Sequence, residues 1–405
     1  MRGGWRRFRL PDDARLQIAI VADDLTGAMD AAAPFADIGI GTTVVLNRED
    51  PLASSAPVLA IDTDTREASP QEAANTVHRI MTRLRAAGTR LPFKKIDSTL
   101  RGNIGTETMA ALFASGRRYA IVAPAAPAQG RLMRDGQLFV HGERRGKNLI
   151  DMLRSELPGA SIQPLPPGDP FAPAGDGCSV FVADAQDEAD LDRIARLGLA
   201  GPQDVLLVGS SGLAAALARQ QGVATLPGLG KYQRRYRHVW FVVGSYNSRS
   251  AEQVRALLAR GDVVTLVLPL TGPMPQLLER EVSADHGIGV IYVEGLDAPP
   301  ALDPRRIAAQ LGELAAMVLG LVSGADAALV VTGGDTARAT LARLGVKSVN
   351  VCASLFPGVV HGTALFAGQE LGIVTKAGGF GDPGLFARLA SQLSMAQEIH
   401  NLTVS

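Results

Sequence analysis

Short apolar runs bounded by turn residues recur along this chain and alternate with segments of helical periodicity, and that alternation constrains the fold more than any other feature. In the first half the runs are "LQIAIVA", "GTTVVL", "VLAID", "YAIVAP", "SVFVAD" and "DVLLVGS", with helical patterns such as "SPQEAANTVHRIMTRLRAAG" (69–88) and "ADLDRIARLG" (189–198) between them. A strand that is apolar at nearly every position has to be covered on both faces, and a parallel sheet sandwiched by helices does this. The pattern predicts an α/β domain over residues 15–225. After the glycine-containing, basic stretch "RQQGVATLPGLGKYQRRYRH" the alternation restarts at "HVWFVVGS". It continues through "SRSAEQVRALLARG", "DVVTLVL", "GVIYVEG", a long helical segment over 303–322, "AALVVTGG" and "LGIVTKAGGFG". This predicts a linker followed by a second α/β domain over 238–405. Two domains also suit 405 residues, a length at which one core has usually stopped growing. The expected fold class is therefore two α/β domains with mostly parallel sheets and an interdomain active-site cleft, lined by loops at the carboxyl ends of the strands.

Composition removes several classes of function. Lysine plus arginine and aspartate plus glutamate each number 40, so no net charge draws the chain to nucleic acid or a membrane surface. The local cluster Lys231, Arg234, Arg235 and Arg237 reads as a solvated linker, because no second basic stretch accompanies it. Cys178 and Cys352 are too few for a disulfide framework or a thiolate metal site, and the six histidines lack metal-ligand spacing. The opening "MRGGWRRFRL" is basic, yet no apolar segment of signal-peptide type follows it. No stretch of about 20 uncharged apolar residues is present, so the cytoplasm is the expected compartment.

The polar residues of interest lie where apolar runs end. "IAIVADDLTGAMDAA" passes from a strand into Asp23 and Asp24 and then into a helix. One aspartate there suits an N-terminal cap, favoured by the helix dipole. Two adjacent carboxylates carry a repulsion and desolvation cost unless a cation, an arginine or sugar hydroxyls answer one of them. Pro34 should kink that helix or stop it early. "FKKIDSTLRGNIGTE" brings Lys94, Lys95, Asp97, Ser98, Arg101 and Asn103 into ten residues before a helix over 106–115, a set suited to a carboxylate or phosphate and also compatible with plain surface charge. "DTDTR" places Arg66 after a further strand, and "APAAPAQGRLMRDGQLFV" contributes Gln129 and Arg131 after another.

The second half carries glycines and hydroxyls at its strand ends instead. These are "VVGSYNSRS" with Ser245, "VVTGGDTARAT" with Gly333, Gly334, Asp335 and Thr336, "FPGVVHG" with Gly358, and "TKAGGFGDPG" with Lys376, Gly378, Gly379 and Gly381. Glycine lets the backbone approach a ligand, and a helix starting near Ala337 would present unpaired N–H groups to phosphate. Single glycine pairs are also ordinary turns. Neither GxxxxGK[ST] nor a Rossmann GxGxxG after the first strand is present. A polar, mixed-charge domain beside a glycine-lined one suggests phosphoryl transfer.

In these motifs the sequence resembles the four-carbon acid sugar kinases. The resemblance rests on "ADDLTGA" (22–28), "KKIDSTLRGNIG" (94–105), "VGSSGLA" (208–214), "VVGSYNS" (242–248), "VTGGDTA" (331–337), "PGVVHG" (357–362) and "TKAGGFG" (375–381), in order along almost the whole chain. It implies an amino-terminal domain for the acid sugar, a carboxyl-terminal domain for ATP, and phosphorylation of threonate, erythronate or 3-oxo-tetronate. Carried over, Asp23, Asp24 and Lys376 are the expected catalytic residues, with an aspartate at 23 or 24 orienting or deprotonating the attacking hydroxyl. Asp24, Arg66, Lys95, Asp97, Ser98, Arg101, Asn103, Gln129 and Arg131 would hold the acid. Ser245, Gly333, Gly334, Asp335, Thr336, Gly358, Lys376, Gly378, Gly379 and Gly381 would hold the nucleotide. Mg²⁺ would accompany ATP, with no metal ligand assigned. Arg249 and Asp335 stand where many members have threonine and glutamate, and "HGERRGKNLI" is an unfamiliar variant of its segment.

The expected reaction is transfer to the terminal O4 hydroxyl, D-threonate ranking before D-erythronate and 3-oxo-tetronate; Leu25, where the oxo-acid kinases commonly have phenylalanine, tips the order. The expected partners are the sugar acid and ATP, with a homodimer allowed and neither nucleic acid nor membrane. A non-catalytic binder of nucleotide or sugar acid, and a dehydrogenase or lyase, are the competing classes.

Overall fold

The computed structural model describes residues 18–46, 54–166, 177–200, 204–221, 234–271, 287–295, 303–322 and 326–395, with the single residues 50, 52, 171 and 274. The basic amino-terminal segment and residues 222–233 of the expected linker lie outside the described residues. The chain separates into two units, Met1–Asp23 with Ile40–Gln221, and Asp24–Gly39 with Gly222–Ser405.

The first strand, β1 (Ile18–Ala22), belongs to the amino-terminal unit, and the helix after it, α1 (Leu25–Asp37), to the carboxyl-terminal one. The amino-terminal unit continues with β2 (Thr42–Val45), β3 (Val58–Asp62), α2 (Pro70–Ala86), β4 (Leu91–Lys95), α3 (Ile104–Ser115) and β5 (Tyr119–Ala123). After β6 (Arg131–Arg134), β7 (Gln137–Val140), β8 (Glu143–Arg145) and α4 (Leu149–Glu156) come β9 (Ser161–Leu165), β10 (Ser179–Ala183), α5 (Glu188–Ala200), β11 (Val205–Gly209) and α6 (Ser211–Arg219). Its sheet runs β2-β3-β1-β4-β11-β5-β10-β9, every pairing parallel. β1, β3, β5, β10 and β11 are buried at every residue, as their unbroken apolar character requires. The helix α2 starts on a Ser69–Glu72 capping box with Pro70 in its first turn, and buries Ala73, Val77, Ile80, Met81 and Leu84.

The segment around Arg131, which reads as a loop in sequence, instead forms the antiparallel sheet β6-β7-β8. Its strands are three or four residues long, too short for a two-residue period to show.

In the carboxyl-terminal unit α1 is joined by β12 (His238–Val243), α7 (Ser248–Leu258), β13 (Val264–Leu268), β14 (Ile288–Val293), α8 (Pro304–Leu321), β15 (Ala327–Thr332) and α9 (Gly334–Arg343). Strands β16 (Ser348–Phe356), β17 (Val359–Phe366) and β18 (Gln369–Lys376) and helix α10 (Leu385–Leu393) complete it. Strands β13-β14-β12-β15-β18 are parallel, and β17 and β16 continue the sheet antiparallel, so the architecture is mostly rather than wholly parallel. The helix α1 runs past Pro34 to Asp37 and does not stop early. Its Ala28, Met29, Ala31, Ala32, Ala33 and Phe35 are buried, and Asp37 accepts hydrogen bonds from Ser354 N and Oγ at 2.8 and 2.7 Å. Packing therefore outweighs the one N–H that Pro34 cannot supply. The helix α9 begins at Gly334, three residues before its expected start. The end of the expected linker is docked: Tyr236 is fully buried and bonds His361 at 2.7 Å, while Arg234 pairs with Glu370. Burial, with Arg234 nearby, pushes the His361 imidazole down to about 3 and keeps it neutral. Among the described residues no helix is long and apolar enough to cross a membrane.

One charge expected at the ligand loops is spent on the fold. Lys94 is fully buried in β4, its Nζ 2.6 Å from Glu107 Oε2 on α3 and 2.7 Å from the Lys95 carbonyl. Removing one partner of such a pair strands the other charge in the core, whereas replacing both with apolar groups of similar volume does not. Glu107→Ala should lower stability by about 3–5 kcal/mol, and the double variant Lys94→Met/Glu107→Leu should recover most of that loss, measured by urea unfolding.

Candidate active site

The strands β3, β1 and β4 are neighbours, so the loops that leave their carboxyl ends emerge side by side. Asp23 follows β1, Arg66 follows β3 and Asp97 follows β4. Arg66 Nε lies 2.7 Å from Asp23 Oδ2, and its NH2 3.6 Å from Asp97 Oδ1. Asp97 is then gripped by Arg101, with Nε 3.0 Å from Oδ2 and NH2 3.1 Å from Oδ1, and accepts Thr99 through both N and Oγ1. The result is an alternating chain of charge, Asp23–Arg66–Asp97–Arg101. Burial would raise both carboxyls, but their cationic neighbours prevail. Arg66, Lys95 and Lys94 hold Asp23 below the usual carboxylate range, and the Arg101 hydrogen bond with the charge of Arg66 does the same for Asp97. The buried Oδ1 of Asp23 has no hydrogen-bond partner among the described residues.

Other expected residues in this unit are distributed around that chain. Asn103 donates its amide to the Thr65 and Ala68 carbonyls, at 3.0 and 2.9 Å, and so ties the β4 loop to the β3 loop. Lys95 is buried, with Nζ 2.8 Å from the Ile96 carbonyl. Ser98 sits half-buried in the turn, whereas the Arg101 side chain is 65% exposed and can still meet a solute. Gln129 and Arg131 lie after β5, two strands from β4; Arg131 donates to Gln129 Oε1 at 2.7 Å, and Gln129 Nε2 donates to Ser211 Oγ at 3.3 Å.

The adjacent carboxylates of "ADDLTG" part company. Asp23 is paired with Arg66 in the amino-terminal unit, and Asp24 caps α1 in the other, accepting Gly27 N at 3.0 Å and Thr26 Oγ1 at 2.5 Å. Both readings of the pair are realised, one by each residue. Asp24 is half-buried, and a methyl group on Gly334, at the start of α9, would come within 3.1 Å of its Oδ2. The positive ends of α1 and α9 thus both face this carboxylate.

The remaining expected residues of the carboxyl-terminal unit gather around the ends of β12, β15 and β18, which are neighbours in the order β12-β15-β18. Gly333, with φ +94°, donates to the Lys376 carbonyl at 3.1 Å and caps α9. Asp335 is exposed and Thr336 buried in the first turn of that helix. Ser245 abuts Gly378, where any side chain would collide with its Oγ, and Gly379 faces Asn247. Gly358, with φ +71° in the turn between β16 and β17, leaves room for the Phe380 ring. Lys376 is fully buried, donating to the Ala377 and Gly378 carbonyls at 3.0 and 2.8 Å, and burial, with the charge of Arg249, pushes its ammonium down to about 7. From α7, Ser250 and Gln253 also bond this loop. Nothing in the sequence marks those two, which read as ordinary polar positions of an amphipathic helix.

Two family models match the chain in succession, and the first takes in α1, which groups with the carboxyl-terminal unit in the structure. Residues 18–154 match a sugar-binding N-terminal domain and residues 240–386 a nucleotide-binding C-terminal domain. The chain is 36% identical to a D-threonate kinase of Bordetella bronchiseptica, over 93% of this chain and 97% of the relative. It is 27% identical to a 3-oxo-tetronate kinase of Cupriavidus necator, again over 93% and 97%. A Haemophilus influenzae crystal structure superposes with a TM-score of 0.69 at 21% identity, covering 93% of this chain and 100% of that one, and so shares the fold.

The charge chain has a pH signature. A carboxyl whose pKa is depressed on folding stabilises the protein above its unfolded value, near 4, and that contribution is lost as pH falls through the folded value. Arg66→Met, which leaves Asp23 buried without its guanidinium, should cost about 3–5 kcal/mol at pH 7. The deficit relative to the unsubstituted protein should shrink as pH falls below 4, as read from Tm across a pH series; a deficit independent of pH would mean that Arg66 acts through packing alone.

Proposed function

We propose that this chain, which belongs to the four-carbon acid sugar kinase family and is an ATP-dependent phosphotransferase, transfers the γ-phosphoryl group to the terminal O4 hydroxyl of D-threonate. One observation carries the assignment of roles: the amino-terminal unit gathers guanidinium and carboxylate groups at its strand ends, while the carboxyl-terminal unit gathers glycine backbone and a buried lysine. The first set suits a small polyhydroxy acid. Planar guanidinium binds carboxylate through two parallel hydrogen bonds, and carboxylates accept from hydroxyls. The second set suits phosphate, which binds through backbone N–H groups and a point charge.

Arg101 is the residue assigned to the substrate carboxylate, being mostly exposed and held in orientation by Asp97. Arg66, Lys95, Ser98, Asn103, Gln129 and Arg131 are assigned to the acid's other polar atoms or to the loops that carry them. Asp24, the less buried of the adjacent pair, is assigned to the acceptor hydroxyl, which it would orient or deprotonate. Asp23, neutralised by Arg66, holds the loop after β3. ATP is assigned to Ser245, Gly333, Gly334, Asp335, Thr336, Gly358, Lys376, Gly378, Gly379 and Gly381, and the residues present fit a phosphate chain. Mg²⁺ would draw its coordination chiefly from phosphate oxygens and water, neutralising charge that develops on the transferred group.

The preference for D-threonate is supported by the higher identity to a D-threonate kinase, 36% against 27% for a 3-oxo-tetronate kinase, and by Leu25 at the start of α1. A site built around one hydroxyl leaves buried partners unpaired when the wrong epimer binds, at a cost of about 1–3 kcal/mol per group. With Mg-ATP in excess and ADP release as the signal, D-threonate should give the highest kcat/KM of D-threonate, D-erythronate, their L forms and 3-oxo-tetronate. A tenfold advantage for D-erythronate would move the assignment to that epimer, and no turnover on any of the five would remove the kinase reading. Arg101→Ala should lower kcat/KM for the acid by about 10²–10³, the scale of about 3–4 kcal/mol of charged hydrogen bonding, with little change in Tm because Arg66 still faces Asp97. A large fall in Tm with a proportionate loss of activity would instead make Arg101 a structural ion-pair partner.

A further inference from the structure

The loop after β18, "AGGFGDPG", has its carbonyls turned towards the protein by three buried side chains. Lys376 donates to the carbonyls of Ala377 and Gly378, Ser250 Oγ to that of Gly378 at 3.0 Å, and Gln253 Nε2 to those of Phe380 and Asp382 at 2.8 and 3.0 Å. All three donors are fully buried. A trans peptide is planar, with its C=O and N–H pointing in opposite directions, so fixing a carbonyl inwards sends the N–H of the next residue outwards. Inward carbonyls at 377, 378 and 380 therefore direct outwards the N–H groups of Gly378, Gly379 and Gly381, the three glycines of the loop. The fourth, at Asp382, precedes Pro383, which has no N–H to direct. None of the three glycine N–H groups has an acceptor among the described residues. The glycines also answer steric demands, since a side chain at 378 would strike Ser245 Oγ and Gly381 has φ +81°.

We infer that Ser250 and Gln253 of α7 are positioning residues that, by holding these carbonyls, create the three-donor nest in which the phosphate chain of a nucleotide sits. The inference rests on the nucleotide reading above and names what builds its site. Gln253 is the more telling of the two, because one amide group holds two carbonyls while its Oε1 is buried without a hydrogen-bond partner among the described residues. A glutamate there keeps the shape of glutamine but, once ionised, presents lone pairs to the carbonyls and repels them, turning the peptide planes and withdrawing the N–H groups.

The test uses the full chain with Mg-ATP as the probe. By titration calorimetry, Gln253→Glu and Ser250→Ala should weaken Mg-ATP binding by about 10–100-fold and about 3–10-fold, the range for losing one to three hydrogen bonds to a charged group. KM for the acid should stay within about twofold, since a loop-specific effect leaves the other substrate's site alone. In the unsubstituted protein, hydrogen exchange across residues 376–384 should slow when Mg-ATP is added, an arm that does not depend on any variant folding. Unaltered Mg-ATP affinity in the folded variants, equal losses for ATP and acid together with a lowered Tm, or exchange across 376–384 indifferent to Mg-ATP would each overturn the inference. Failure of the unsubstituted protein to bind Mg-ATP at all would instead overturn the nucleotide reading, and the inference with it.

Discussion

A carboxylate withdrawn from water at the end of a buried strand must be met by a cation within hydrogen-bonding reach, and in this chain the salt bridge from Arg66 to Asp23 meets that demand. The loops after β1, β3 and β4 depend on it. Arg66 comes from the loop after β3, so its bond to Asp23 and its approach to Asp97 draw three strand ends together. Backbone bonds follow the same path, Thr65 N and Arg66 N donating to the Asp23 carbonyl. Asn103 then ties the base of α3 to the loop after β3 with two neutral bonds. Exposure rises along the chain of charge, from Arg66 at 14% to Arg101 at 65%. The arrangement is fixed at its buried base and more exposed at its tip.

How much of this the sequence discloses depends on whether an interaction is local. Strands such as "YAIVA" and "VLLVG" were legible because burial on both faces demands unbroken apolar character, and α2 because its cap, its proline and its apolar period all lie within twenty residues. The strands β16 and β17 were not legible: β16 alternates buried and open positions, mixing serine, asparagine and cysteine among its valines, and its pairing register shifts twice. Lys94 was misleading for a related reason. A charged residue beside Lys95 at a strand end looks like part of a ligand loop, and only the position of Glu107 on α3 shows that it faces the core.

Asp23 and Asp24 mark the same limit more finely. Their adjacency announces a cost that something must offset, and arginine and capping are both foreseeable answers. Which residue takes which answer is decided by tertiary structure, because α1 groups with the carboxyl-terminal unit through β16 while β1 stays with the amino-terminal sheet. One peptide bond separates a carboxylate fixed by a guanidinium from one fixed by backbone N–H groups.

The two units thus handle polarity at their strand ends by different physics. The amino-terminal unit uses formal charges joined by directional hydrogen bonds, and breaking such a pair leaves a buried group unpaired. The loop after β18 presents peptide dipoles, and the buried Lys376 is turned to the loop's own carbonyls. A row of N–H groups recognises charge density on oxygen and is indifferent to what the phosphate is attached to. Its strength comes from being held in place before a ligand arrives, so that little is spent on ordering it. That is why the residues setting its geometry lie beneath the loop, on a helix more than 120 residues earlier in the chain, out of reach of any local reading of its glycines.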